Sequence, residues 1–250
     1  MNNLKLKIAI LLKFIYRFGI LQGAKLFAQA EIAKTSSLKI PEIRNPIFLR
    51  KHTSDFPTFC QIFLENSYES IKSNNPKFII DGGANIGLFA IQMKNKYPQS
   101  TIICIEPDPT NFLALKKNIQ HYDNIFAENT GIWNKDTKLK VYDKYNCGEW
   151  GFVVEEDIEA GEIDAVSIDS IMKKYDIDKI DILKLDIETS EKQLFTENYE
   201  NWLPKTNLIA IELHDYLEPG CSKPFFEAVN KTFTKYKLVL SGENLIIEKL

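Results

Sequence analysis

The sequence predicts an α/β protein: a doubly wound, mostly parallel sheet with an antiparallel C-terminal hairpin, preceded by an N-terminal helical extension. Three observations predict this class. Short apolar runs ending near an acidic residue recur at residues 77–81 (KFIID), 101–105 (TIICI, then Glu106), 180–186 (IDILKLD) and 207–213 (NLIAIEL). Helical patterns separate the early runs, and near-continuous apolar strands of this kind are buried on both faces of a parallel sheet. At the C-terminal end, the runs at 236–240 and 245–249 are split by Ser241-Gly242-Glu243-Asn244, a hairpin signal.

Taken in order, residues 4–30 read as one amphipathic helix or two. Ile8, Leu11, Leu12, Ile15 and Phe18 recur at helical spacing, and Gly19 and Gly23 weaken the middle. Pro41, Pro46 and Pro57 mark residues 35–60 as a connector with a short strand at 47–50. Residues 58–72 read as a helix with Phe59, Ile62, Phe63 and Ile71 on one side. The α/β pattern starts near residue 76, which divides the chain into an extension at 1–75 and one domain at 76–250. In that domain a helix runs to about residue 96, another covers 109–122, and a third strand covers 124–128. Residues 131–170 carry shorter signals, read as a β-rich insertion and connection.

Composition sets limits. With 250 residues and 44% apolar content the chain can bury a sizeable core. A net charge of −3 leaves no overall footprint for nucleic acid. Residues 1–34, however, hold six basic side chains against Glu31 alone. That basic helix suits packing on the domain or on a second copy of the chain, the more ordinary outcome, or peripheral contact with a membrane surface. Four scattered cysteines and three distant histidines show no structural zinc spacing, and they fit a reduced, cytoplasmic compartment. The longest early apolar run, residues 8–12, is too short to span a bilayer, and no signal-peptide pattern follows it.

The informative segment is residues 78–87 (FIIDGGANIG), at the end of a strand and the start of a helix, where open α/β sheets bind ligands. Its spacing runs D-x-G-x-x-x-G through Asp81, Gly83 and Gly87, which differs from the G-x-G-x-x-G of a dinucleotide turn. An acid opening the turn suits a ligand with an amine and a sulfonium, such as S-adenosylmethionine. Glu106 ends the next strand, where a carboxylate can accept both hydroxyls of a ribose, and Asp108 follows within reach of the nucleoside. The ordinary alternative for the glycines is a tight turn between strand and helix.

Four segments carry a resemblance: IIDGGANIGLFA at 79–90, IEPDPTNFLALKKNI at 105–119, VSIDSI at 166–171 and ILKLDIETSE at 182–191, with IAIELHD at 209–215 behind them. Through them, over about residues 76–215, the chain resembles the FkbM family of S-adenosylmethionine-dependent methyltransferases. The resemblance implies a Rossmann-like class I methyltransferase fold. It also implies methyl transfer, commonly to oxygen, with a sugar, polysaccharide or natural-product acceptor more often than a protein. By this match Asp81, Gly83, Asn85, Gly87, Glu106 and Asp108 are the expected cofactor contacts. Asp186, Glu188 and Glu191 fall on the family stretch K-x-D-x-E-G-x-E. Here the chain departs: Thr189 and Ser190 follow Glu188, with no glycine. A β-branched residue tolerates positive φ poorly, unless Thr189 or Ser190 caps the next helix instead.

Asp186 ends a buried strand. It is a candidate for the base that removes an acceptor proton, for a contact to the cofactor amino group, or for a helix cap. Glu212, His214 and Asp215 close the next strand. His214 is a candidate base because its ordinary pKa is near neutral, and alternation puts Glu212 on the same face. These acids with His214 would suit Mg²⁺, which is not the favoured reading. Trp133, Tyr142, Tyr145, Trp150 and Phe152 suit either an aromatic loop over a sugar ring or the cofactor, or ordinary core under a loop. Pro219-Gly220-Cys221-Ser222 reads as an exposed turn with Cys221 a bystander. The leading reading is an O-methyltransferase acting on a saccharide or related metabolite, with Asp186 or His214 as base. A nicotinamide-dependent reductase lacks its glycine pattern. A non-catalytic S-adenosylmethionine-binding or scaffold module is the alternative from another class.

Overall fold

A computed structural model describes residues 2–32, 37–143 and 152–250. The N-terminal region holds α1 (Asn2–Phe18), α2 (Ile20–Phe27), β1 (Ser37–Leu38), β2 (Ile47–Phe48) and α3 (Asp55–Phe59). A π-helical turn at Ala28–Ile32 follows α2, and another at Cys60–Leu64 follows α3. The α/β part then runs β3 (Phe78–Gly82), α4 (Leu88–Lys96), β4 (Thr101–Ile105), α5 (Pro109–Ile119) and β5 (Ile125–Glu128). After it come β6 (Gly131–Ile132), β7 (Thr137–Asp143), β8 (Phe152–Glu156), β9 (Ile163–Val166) and α6 (Ile168–Lys174). The chain ends with β10 (Ile180–Leu185), α7 (Glu191–Leu194), β11 (Thr206–Glu212), α8 (Ser222–Thr232), β12 (Tyr236–Ser241) and β13 (Asn244–Lys249).

The main sheet has the order β12-β13-β11-β10-β3-β4-β5. The strands β5, β4, β3, β10 and β11 run parallel, and β13 is antiparallel to both β11 and β12. Gly242, at φ +63, makes the two-residue turn of the β12–β13 hairpin. The insertion forms a second sheet in the order β6-β9-β7-β8.

Alternation along the strands divides the core in two. Ile79, Ile102, Cys104 and Ile182 face one layer with α4, α5 and the N-terminal region, while Ile80, Ile103, Ile105, Leu183 and Leu185 face α6, α7 and α8. Local signals set the helix starts. Asp108 caps α5 by accepting from the Asn111 N–H, with Pro109 in the first turn, and Ser167 caps α6 by accepting from the Ser170 N–H.

The N-terminal region packs on the first layer. Phe14 is fully buried among Phe27, Phe56 and Phe59, and Arg17 pairs with Glu42. The expected stripe is rotated from the one observed. Leu11 and Phe18 pack against the core with Phe14, whereas Ile8 and Leu12 are 49% and 59% exposed. At about 100° per residue, Ile8 and Leu12 lie on the flank away from Phe14. Gly19, at φ +80, separates α1 from α2. Gly23 serves packing rather than weakness, because a Cβ there would meet the Phe14 carbonyl oxygen at 2.4 Å. Among the described residues no helix is long and apolar enough to cross a membrane.

Two further expectations are corrected, and one open choice is decided. The helix placed at 58–72 begins at Asp55 and its π turn ends at Leu64, and Asn66 then takes φ +54 and breaks it. Cys221 is fully buried, in the shelter of Thr189 and Glu191, although Pro219 and Gly220 are exposed. Of the two readings of the aromatic residues, Trp133 follows the core one: it is buried against Leu139 and Ala165 in the second sheet. Tyr145 and Trp150 lie outside the described residues, as do the side chains of Tyr142 and Phe152.

Candidate active site

A cavity of about 790 Å³ opens at the carboxyl ends of β3, β4, β10 and β11. This is where a parallel sheet presents free loop ends and helix N-termini. One wall is the turn after β3. Gly83 has φ +70, Asn85 φ +49 and Gly87 φ +81, so the chain folds back sharply before α4. The Gly83 and Ala84 N–H groups both donate to the Ile105 carbonyl at 3.0 Å, which ties the turn to β4.

Glu106 follows β4 and is 5% exposed. One of its oxygens accepts from the Asn85 N–H at 2.7 Å and the other from the Asp108 N–H at 2.9 Å. Burial pushes its carboxyl up to about 7, against the pull of those two backbone donors. Asp108 lines the cavity too, but its Oδ1 is engaged in capping α5. Asn85 lines the cavity with its Oδ1 buried and without a hydrogen-bond partner.

Beneath the turn, Asp81 and Lys184 stand side by side on β3 and β10. Asp81 is fully buried, and Lys184 Nζ lies 3.5 Å from its Oδ1. The same ammonium donates to the Gly83 carbonyl at 2.7 Å and the Gly82 carbonyl at 3.2 Å, and lies 3.7 Å from Asp186 Oδ2. Burial raises the Asp81 pKa although Lys184 counteracts it. For Lys184, burial favours the neutral amine, but the Asp186 and Asp81 carboxylates outweigh it and hold the ammonium. Asp81 therefore sits under the turn as the partner of Lys184. Lys184 was not singled out from the sequence; the available signal is one charge inside the apolar run Ile182-Leu183-Lys184-Leu185.

The opposite wall gathers Asp186, Glu188, Glu191, Glu212 and His214. His214 is 1% exposed. Its Nε2 lies 3.7 Å from Asp186 Oδ1, 3.6 Å from Glu188 Oε2 and 3.7 Å from Glu212 Oε1, and its Nδ1 lies 3.3 Å from Glu191 Oε1. Burial opposes protonation, but Glu191, Glu188 and Asp186 raise the imidazole to about 9. Burial, then Asp186, lifts Glu188 to about 8 and Glu212 to about 7. Asp215 is turned away: it accepts from the Ser222 N–H and hydroxyl at the start of α8.

The link between the walls is the loop after β10. Glu188 and Thr189 have φ +49 and +73, so the position the sequence marks as a missing glycine is a left-handed one. Ser190 heads α7 but makes no side-chain cap, and Glu191 instead reaches back to accept from the Ile187 N–H at 2.8 Å. The N-terminal region closes the cavity, with Ser54, Thr58, Gln61, Ile62 and Tyr68 in its lining. Glu243 of the hairpin turn adds to it, and Gln61 Nε2 donates to Glu243 at 3.2 Å.

Residues 81–237 match the methyltransferase FkbM domain family. Over 83 residues the chain is 36% identical to Methyltransferase 1 of Beauveria bassiana (strain ARSEF 2860), covering 32% of this chain and 33% of that protein. Over 59 residues it is 42% identical to Methyltransferase sdnD of Sordaria araneosa, covering 24% and 23%. The matches thus span about a third and a quarter of these curated relatives. Among solved structures, Methyltransferase FkbM from Methylobacillus flagellatus KT superposes with a TM-score of 0.53 at 13% identity, over 99% of this chain and 60% of that one. That likeness is one of fold, the Rossmann-like class I methyltransferase arrangement.

Proposed function

Since the chain belongs to the methyltransferase FkbM domain family, we propose that it methylates a hydroxyl of a saccharide, polysaccharide or related metabolite, using S-adenosylmethionine. The observation that carries the reading is the single cavity that joins the Gly83–Asn85 turn and Glu106 at one end to the carboxylate wall at the other. Its volume lies in the range of small-molecule sites.

The residues fit the cofactor. Glu106 Oε2 keeps a lone pair beyond the one the Asn85 N–H uses, and Oε1, which takes the Asp108 N–H, holds the Asn111 amide only at 3.5 Å, an exchangeable contact, so the carboxylate suits ribose hydroxyls. Asn85 Oδ1, buried and unpartnered, offers an acceptor in the same wall. When bound, S-adenosylmethionine supplies a methyl group on a sulfonium, transferred in line to the acceptor oxygen. The protein would hold the acceptor hydroxyl against the far wall and take its proton on a carboxylate there. Asp186 is the first choice, because its side chain is 33% exposed to the cavity, whereas that of His214 is 2% exposed. With no ion bound, the neighbouring carboxylates hold His214 protonated, so it would balance the charge of the wall rather than act as base.

Calorimetric titration with S-adenosylmethionine, its demethylated product and NADH tests the cofactor. Micromolar binding of the first two and none of NADH is expected, and failure of both sulfur ligands removes the reading. Methyl transfer to glycan pools then tests the enzyme. Asp186→Asn should lower kcat by roughly a hundredfold or more with cofactor affinity nearly kept. Tight cofactor binding without turnover on any acceptor would favour the binding-module alternative.

A further inference from the structure

We propose that Asp186, Glu212 and His214 bind a divalent metal ion of the Mn²⁺ class in the wall of the cavity. One ligand atom from each lies within 4.8 Å of the others, with Nε2 3.7 Å from Asp186 Oδ1 and 3.7 Å from Glu212 Oε1. An ion bound at about 2.1 Å holds adjacent ligands about 3.0 Å apart and opposite ligands about 4.2 Å apart. The two separations from Nε2 fall between these limits. Both are also longer than hydrogen bonds, so neither carboxylate already satisfies Nε2.

A second observation concerns the histidine. His214 is 1% exposed and aims Nε2 at the carboxylates, while its Nδ1 faces Glu191 Oε1 at 3.3 Å. A metal-binding histidine characteristically gives one ring nitrogen to the ion and the other to a carboxylate that fixes its tautomer. Nδ1 makes no hydrogen bond, and Glu191, fully buried and anchored by the Ile187 N–H, is the carboxylate placed to take that role. Glu188 Oε2, buried without a hydrogen bond and 3.6 Å from Nε2, offers a further oxygen. Lys184 opposes a cation, but it lies against Asp186 Oδ2, the oxygen other than the one facing His214. One imidazole among carboxylates suits Mn²⁺ better than Ca²⁺. The site stands whether or not the protein transfers methyl groups.

The test is titration of the chelator-stripped full chain with Mn²⁺, with free Mn²⁺ read by electron paramagnetic resonance. One bound ion per chain is expected. Its affinity should fall roughly tenfold or more in Glu212→Gln and in Asp186→Asn, and stay unchanged in Glu200→Gln, whose carboxylate pairs with Lys231 elsewhere. In the wild-type chain, substoichiometric Mn²⁺ should broaden the His214 ring resonances before those of the exposed His52 and His121. This readout needs no variant to fold. Absence of binding up to about 1 mM, affinity untouched by both substitutions, or equal broadening of the three histidines would overturn the proposal. S-adenosylmethionine binding by a chain that binds no Mn²⁺ would overturn this site alone and leave the cofactor reading in place.

Discussion

A Cβ atom on Gly83 would lie 1.7 Å from the carbonyl oxygen of Asp186. The turn after β3 thus presses its backbone onto the loop after β10, and the two walls of the cavity share a contact that leaves no room for a side chain. Gly83→Ala must move one of them and must also hold alanine at φ +70. The strained conformation and the overpacking together should cost about 2–5 kcal/mol. Gly87→Ala, whose Cβ would meet the Leu115 and Ile119 side chains at 3.3–3.4 Å and backbone no nearer than 3.9 Å, should cost about 1–2 kcal/mol. Urea unfolding of both variants checks the order; equal losses would refute the close contact.

Lys184 tests the electrostatics under the turn. Lys184→Met keeps the volume but leaves Asp81 buried without its cation, which should cost about 3–5 kcal/mol. Adding Asp81→Asn should recover part of the loss, because the orphaned charge is then gone. A double-mutant cycle by urea denaturation measures this, and strictly additive losses would show that the pair is not coupled.

Thr189 carries a β-branched side chain at φ +73. Thr189→Gly should relieve that strain and stabilise the protein by about 1 kcal/mol, net of the flexibility gained by the unfolded chain. Thr189→Val keeps the branch and the strain, so it should bring no gain. Thermal melts of the two variants decide it.

Glu106 ties stability to pH. Its folded pKa, about 7, is raised above the unfolded value by burial. Between those values the folded chain keeps a proton that the unfolded chain has lost. Its contribution to stability is therefore greatest below the unfolded pKa, falls as pH rises toward about 7, and is flat above it. The wild type should lose about 3 kcal/mol more than Glu106→Gln across that window. Affinity for S-adenosylmethionine should run the other way and rise toward pH 7, as the carboxylate that accepts the ribose hydroxyls forms. Parallel slopes for the two chains would contradict the assignment.

The legible parts of the fold are those with a local cause. The strands at β3, β4, β10 and β11 show as apolar runs because both their faces are buried. Gly83, Gly87 and Gly242 show because positive φ selects glycine. The unusual Thr189 was visible as an absence of glycine, and the backbone does take positive φ there. By contrast, residues 58–72 read as one helix through Phe59, Ile62, Phe63 and Ile71, yet Asn66 turns out of it. Cys221 sits in a sequence that reads as an exposed turn, and tertiary packing buries it.

By itself the sequence determined the α/β class, the hairpin, the turn that opens the cavity and the acid after β4, because each depends on neighbours a few residues apart. Only the tertiary structure decided which distant side chains meet. Strand order puts Lys184 against Asp81, and the register of β10 and β11 brings Asp186, Glu212 and His214 together while Asp215 is drawn to Ser222. The packing of the N-terminal region likewise decided that Thr58, Gln61 and Tyr68 line the cavity. The Asp81–Lys184 and Asp186–His214 contacts join residues 103 and 28 apart, and no local periodicity encodes such a distance, although Asp215 meets Ser222 only seven residues on.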